Sequence, residues 1–497
     1  MFPLLVGPGS PRDRLLPARG PERQVRTISF DDDNRIATGD AKAWLAESGA
    51  LFKLAVPLAL THLAQMAIGL TDTVMLGRYD KTALAASVLG NTVYLFCWFI
   101  GLGPASAISP MIAHVLGARP DDRSETAAIL RMGLWSAILT SIPLVCVLLF
   151  TKQILLFLGQ KSDLAQAASR FAIPLAFGLP FALAFQVLRN FAVALSRPQP
   201  AFYVMALTVL SNLAGDYVLI YGHFGLPRLG LVGSGIASAC SLVLSFLAMI
   251  AAIALTPRLR GHMLARRLCE PHGGKLAEIF RLGLPMSAMQ ILESGFYLAM
   301  HLVVGVFGAV TVAAHAIAWS VQNQTSMVPT GIGVAASIRA GLAAGAQDRA
   351  GIRRAGYSAI GATIACMTIC GIAMAIFARQ LAGLYLSDSP GGLAVIDTAI
   401  PLIWVAAAYQ VADGVQATAL FTLRGLKDVR LPTWIVAASF WIVGSIGCMS
   451  LSFGLDLKAL GVWIGLAVAL FVLAVLLCAR LYRVMRSTGT SEPQERD

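Results

Sequence analysis

The sequence predicts an all-α integral membrane protein, with twelve transmembrane helices in two six-helix lobes related by a parallel pseudo-twofold repeat. Three observations carry that expectation. Of 497 residues, 57% are hydrophobic and only 13% charged, with a mean hydropathy of +0.73, whereas soluble domains carry roughly 25% charged residues. The apolar stretches accommodate about a dozen spans of roughly 20 residues each. They run continuously in Ala, Leu and Gly instead of alternating, which disfavours a β-barrel. Finally, the second half of the apolar region repeats the first.

Residues 1–47 are polar and rich in Pro and Arg, with an acidic run at Asp31, Asp32 and Asp33. They read as a disordered tail. Pro3, Pro8, Pro11 and the short apolar length there argue against a signal peptide. Spans follow at 53–77, 84–110, 128–150, 165–195, 201–222 and 230–255, making a first lobe of residues 48–256. A basic loop at 257–278 leads to spans 279–304, 311–337, 356–378, 393–422, 432–453 and 459–482. These make a second lobe of residues 279–485, and 486–497 form a tail. Every span is helical because backbone groups facing lipid must bond within their own segment.

Basic residues set the orientation. The side shared by both tails and the even-to-odd loops holds 29 Lys and Arg, and the other side holds 8. Both tails are therefore expected in the cytoplasm. The same bias explains the formal charge of +12 without a nucleic-acid partner, for which no motif is present. The remaining basic residue, Arg189, falls inside a span and is the only deep arginine in this reading.

A shift of 228 residues, without gaps, superimposes the halves. It pairs Pro57 with Pro285, Gly77 with Gly305, Gly103 with Gly331, Ser109 with Ser337 and Gly117-Ala118 with Gly345-Ala346. Six spans per half is an even number, so the halves keep one orientation. Their axis then lies along the membrane normal, with substrate sites near the midplane, between or within the lobes.

The chemistry lies in acids inside apolar helices, where a carboxylate costs roughly 2.5–3.5 kcal/mol even on insertion scales. Asp72 lies deep in the first span, fifteen residues after Pro57, and bends are expected at Pro57 and at its repeat mate Pro285. Asn212 and Asp216 are four apart on one face of the fifth span, and Ser234 opens the sixth. Together they offer hard oxygen ligands for a small cation such as Na⁺, or a carboxylate to bind H⁺. A polar knot that only holds helices together is the competing reading, and two acids exceed what packing needs. Glu293 in the seventh span and Tyr409 and Asp413 in the tenth make a second acid set. Gln290, Asn323 and Gln416 are expected around the same cavity. Glu293 and Asp413 make the pattern of a cavity that exchanges a cation such as Na⁺ or a proton, since a buried carboxyl can change protonation near neutral pH.

The lone histidines His62, His114, His301 and His315 read as packing or hydrogen-bonding residues. Trp98, Trp319, Trp404 and Trp441 read as packing or interfacial residues, one or two of them available to stack on a flat cation. Cys366 and Cys370 have no acid or His nearby, and the eight cysteines read as small buried hydrophobes. There is no phosphate-binding loop, so neither an ATP-driven engine nor an ATPase partner is expected. No resident cofactor is expected, and few loops are long enough to dock a partner, so the chain reads as a monomer. An intramembrane aspartyl protease is disfavoured because no GxGD-like motif surrounds Asp72, Asp216 or Asp413.

At this point the residues resemble a known family. The run LFKLAVPLALTHLAQMAIGLTDTVMLGRYDKTALAA is similar to the first span of the multidrug and toxic compound extrusion (MATE) family. So are GPASAISPMIAHVLGA, its repeat GIGVAASIRAGLAAGA, and YQVADGVQATALFTLRGLKD, which looks like that family's tenth helix. The resemblance covers about residues 48–485. It implies a V-shaped twelve-helix antiporter that exports organic cations and amphipathic drugs against Na⁺ or H⁺. The NorM branch implies coupling roles for Asp72, Glu293, Tyr409 and Asp413, and a first-lobe cation site at Asp72, Asn212, Asp216 and Ser234. Ser234 stands where the family often has Thr and keeps the hydroxyl. A flippase for lipid-linked saccharides, from the same superfamily, would want a basic cavity, and the span interiors hold acids and one Arg.

Overall fold

A computed structural model describes residues 30–261, 272–385 and 392–487. The chain divides into two units, Met1–Leu45 and Ala46–Asp497. Of the first, the backbone of residues 30–45 is described and is helical. The second unit contains the membrane-spanning body.

The described residues form twelve long helices and no strand. They are α1 (Phe30–Tyr79), α2 (Lys81–Ala118), α3 (Arg123–Leu149), α4 (Ser162–Ala194), α5 (Gln199–Tyr221) and α6 (Gly230–Leu255). The second six are α7 (Gly273–Gly305), α8 (Ala309–Gly345), α9 (Arg349–Ile376), α10 (Gly392–Gly425), α11 (Arg430–Gly454) and α12 (Lys458–Ser487). Eleven are long and apolar enough to cross a membrane. The twelfth, α7, is as long as α4, but carries Lys275, Glu278, Arg281, Glu293 and His301.

The expected spans lie inside these helices, and the departures are at the ends. Residues 30–47 stand in α1, ahead of the tail boundary set at 47, because polar Ala-, Lys- and Glu-containing sequence continues the helix before the apolar run begins. Residues 1–29 and 488–497 lie outside the described residues. The loop expected at 257–278 is shorter. Pro257–Arg260 forms one short turn, 262–271 lie outside the described residues, and 273–278 already belong to α7. Pro57 and Pro285 lie inside continuous helices.

Two helices are irregular. In α8 the α-helix stops at Thr325 and restarts at Met327. Pro329 explains the break: it cannot donate to the carbonyl of residue 325, and its ring crowds that turn. In α11, residues 438–444 and 450–454 are wound as π-helix, a rare form often found near functional sites.

The repeat is visible in the contacts between lobes. A Cβ on Gly103 would fall 2.2 Å from Gly283 O and from Ser287 Oγ. Its repeat mate Gly331 lies against Ala55 and Ala59, the mates of Gly283 and Ser287. Likewise Gly117 lies against Leu342, and Gly345 lies against His114, the mate of Leu342. Each contact therefore recurs with the lobes exchanged, as a pseudo-twofold axis requires. Only glycine fits where a Cβ would meet a backbone oxygen of the other lobe. The same arginine-rich side carries further ties between the lobes. Lys275 Nζ meets Glu125 Oε1 at 2.5 Å, His114 Nε2 meets Gly425 O at 2.9 Å, and Arg339 is paired with Glu47.

Candidate functional site

The acids singled out in the sequence separate into two places. The first lies inside the N-terminal lobe, among α1, α5 and α6. Asn212 and Asp216 are fully buried on one face of α5, and Ser234 is fully buried on α6. Ser238, a turn after Ser234, donates to Asp72 Oδ2 at 3.1 Å and accepts from Asn212 Nδ2 at 3.1 Å. Asp216 faces both Asp72 and Ser234. Five buried oxygens here have no hydrogen-bond partner: Asp72 Oδ1, Asn212 Oδ1, both carboxylate oxygens of Asp216, and Ser234 Oγ. Unsatisfied buried acceptors are costly. Two facing carboxylates cannot both stay charged without a cation or a proton between them. The donor set, all hard oxygens, fits Na⁺ or H⁺. Ser238 was not among the expected residues; its signal was the i, i+4 spacing from Ser234.

The second place is a central cavity of about 810 Å³ between the lobes, within the size range of drug-binding pockets. Glu293, Tyr409, Asp413, Gln290, Asn323 and Gln416 all line it. Asp413 Oδ2 accepts from Gln322 Nε2 at 3.0 Å and from Ser326 Oγ at 2.9 Å, and Gln416 Nε2 lies 3.4 Å from Oδ1. Tyr297 OH reaches Glu293 Oε1 at 3.4 Å. Tyr409 is buried, its hydroxyl has no partner, and its ring stacks 6.3 Å from that of Trp463. Gln322 and Ser326 stand one turn apart, at the interruption of α8, and both reach Asp413. Neither was expected; their signal in the sequence was the i, i+4 spacing of two polar residues in an apolar span. Gln290 bonds no acid; its amide lies 3.5 Å from Ser294.

Aromatic rings form much of the remaining wall. Tyr297 and Trp319 meet edge to face at 4.8 Å, and His301 and Trp319 at 5.0 Å. Trp98, Phe96, Phe99 and Phe421 also line the cavity. Trp404 and Trp441 instead donate to the carbonyls of Ala375 and Leu292 from exposed positions. The four histidines all make hydrogen bonds: His62 to Arg189, His114 to Gly425, His301 to Tyr297 and His315 to Trp463. Cys97 and Cys448 are buried, but Cys146 and Cys240 are exposed on outer helix surfaces, and Cys269 lies outside the described residues.

The expectation of a single deep arginine is corrected. Arg189 lines the cavity although it comes from the N-terminal lobe, and Arg424 lines it as well. Arg424 counted as a loop residue in the sequence, yet α10 runs to Gly425. Its guanidinium folds back over Phe421, 4.9 Å from the ring, and points at Met289 Sδ at 3.5 Å.

The MatE family profile matches the chain twice, at residues 57–218 and 285–449. Its two starts are Pro57 and Pro285, the first pair of the internal repeat. The chain belongs to the MatE family. It is a multi-pass membrane transporter and not an enzyme. A probable multidrug resistance protein NorM of Brucella suis is 35% identical over 457 residues, covering 92% of this chain and 97% of that one. The protein of the same name from Rhodopseudomonas palustris is 36% identical over 452 residues, covering 91% and 95%. The fold matches an outward-facing multidrug resistance MATE transporter of the MOP superfamily, with TM-score 0.82 at 19% identity over 90% of this chain and 97% of that one. A eukaryotic MATE transporter matches with TM-score 0.78 at 22% identity, covering 90% and 98%. This MatE chain thus comprises two six-helix lobes, with one acid set inside the first lobe and the other in the cavity between the lobes.

Proposed function

We propose that this MatE protein is a NorM-type multidrug exporter of the cell's inner membrane, with both termini in the cytoplasm. It exchanges organic cations and amphipathic drugs for Na⁺ or H⁺. The observation that carries this reading is the central cavity. It is drug-sized, walled by aromatic rings, and holds two carboxylates, Glu293 and Asp413. Flat cations gain from both features, through ring stacking and charge.

Alternating access supplies the cycle. The lobes interlock on the arginine-rich side, which the Lys and Arg bias assigns to the cytoplasm. In this state the cavity serves the outside. A cation or proton arriving there neutralises Glu293–Asp413, or the Asp72–Asp216 site, and substrate leaves. The charged acids then favour fresh substrate from the cytoplasm once the seam opens. Ion and substrate are linked because each weakens the binding of the other.

Arg189 and Arg424 give some support to a second reading, flipping of a lipid-linked saccharide held by its pyrophosphate. Glu293 and Asp413 in the same cavity oppose it, since they repel that anion. The deciding experiment is efflux of a fluorescent cation from vesicles of reconstituted protein, with Na⁺ and pH gradients imposed separately. Efflux under either gradient identifies the antiporter and its ion. No efflux under either, with folded protein, favours the flippase.

A further inference from the structure

The central cavity holds a positive charge that the proposed cycle leaves idle. Arg189 on α4 is 3% exposed and lines the cavity. Its Nη1 donates to Gln186 Oε1 at 3.3 Å, its Nη2 meets His62 Nε2 at 2.8 Å, and its Nε has no partner. Arginine can only donate, so His62 accepts through Nε2 and is neutral in this arrangement. Among the described residues Arg189 forms no ion pair. A guanidinium withdrawn from water without an anion is expensive. Bracing α1 against α4 needs hydrogen bonds, not a charge.

The repeat gives its depth. The shift of 228 residues carries Arg189 onto Ala417, which also lines the cavity, four residues after Asp413. With the axis along the membrane normal, Arg189 stands across the cavity within about one helical turn, ~5–6 Å, of the level of Asp413. The two walls thus have opposite polarity. Arg424, the other arginine, is accounted for by its place in the last turn of α10, which favours a cation, and by its stacking over Phe421.

We infer that Arg189 is an anion handle, and that this cavity selects amphipathic aromatic zwitterions over simple cations. The ammonium end lies toward Glu293 and Asp413, the carboxylate meets Arg189, and the flat ring sits among Trp98, Tyr297 and Trp319. This rests on the efflux reading, and names the substrate class for it.

The test uses the full-length protein and two probes: a cationic xanthene dye bearing a free carboxylate, and the methyl ester of the same dye. Binding is read by fluorescence anisotropy, and efflux in vesicles. Wild type binds the acid more tightly than the ester. Arg189→Gln loses roughly tenfold or more on the acid and less than about twofold on the ester, the scale of one charge-assisted contact. Arg189→Lys recovers most of the loss. Equal loss on both dyes makes Arg189 a brace and overturns the inference, as does no loss on either. If Arg189→Gln does not fold, the wild-type preference decides: an ester bound as well as the acid, or better, overturns it. Wild type that moves the ester and ignores the acid overturns the handle but leaves the efflux reading standing. Protein that handles neither dye sinks both.

Discussion

Gly103 is where the two lobes can be forced apart by a single methyl group. In α2 it packs on α7 so closely that a Cβ would sit 2.2 Å from Gly283 O and 2.2 Å from Ser287 Oγ. An ordinary carbon–oxygen contact needs about 3.2 Å or more, so Gly103→Ala requires the helices to part by roughly 1 Å. Both obstacles belong to a packed helix: one is backbone, and Ser287 Oγ is itself tied to Ile100 O at 2.6 Å. The seam cannot absorb the methyl by turning a side chain. Overpacking of this kind costs about 1–3 kcal/mol. If the cost is borne only by the closed seam, the ratio of open to closed protein rises about 5- to 150-fold. Spin labels at Arg119 and Arg349, on exposed positions of opposite lobes, read the opening by pulsed dipolar spectroscopy. Wild type should give one short distance population, and Gly103→Ala should add a longer one. Gly361→Ala serves as control, because its Cβ meets nothing within 4 Å in mid-α9 and should stabilise by up to about 1 kcal/mol. An unchanged distance distribution in a folded Gly103→Ala protein would refute the reasoning.

Three further outcomes are expected. Asp413→Asn keeps a similar shape beside Gln322 and Ser326 but removes the charge, so efflux of cations should fall roughly tenfold or more, the scale of a lost charged contact, with expression unchanged. Full efflux in the variant would remove Asp413 from the coupling role. Asp216→Asn relieves two facing carboxylates in a site rich in unpartnered oxygens. Its melting temperature in ion-free detergent should rise, and the stabilisation by Na⁺ or by low pH seen in wild type should vanish. Persistence of that stabilisation would place the ion elsewhere. Pro329→Ala restores the amide that the α8 break lacks, so efflux should drop severalfold while thermal stability holds or rises. Unimpaired efflux would show that the break does not position Ser326 and Gln322.

Much of this molecule could be read from its sequence, because the bilayer permits few answers. Apolar runs of span length must be helices, an even count with a Lys and Arg bias orients them, and a gapless shift of 228 residues exposes two similar lobes. An acid in such a helix is conspicuous by its cost, so Asp72, Asp216, Glu293 and Asp413 stand out in the sequence itself. Asn212 follows from its helical spacing to Asp216, and Ser234 from its hydroxyl at the start of the next span. What the sequence could not supply was which polar groups face one another across helices distant in the chain. Gln322 and Ser326 share a helix face one turn apart, and they meet Asp413 because the lobe packs α8 on α10. Arg189 and Arg424 share a cavity with the second acid set because two lobes enclose it, and Arg424 reaches in only because α10 extends past the apolar run. Local pattern and solvent determine where helices form. The partners of a buried charge depend on three-dimensional packing, in which residues hundreds of positions apart come within hydrogen-bond distance.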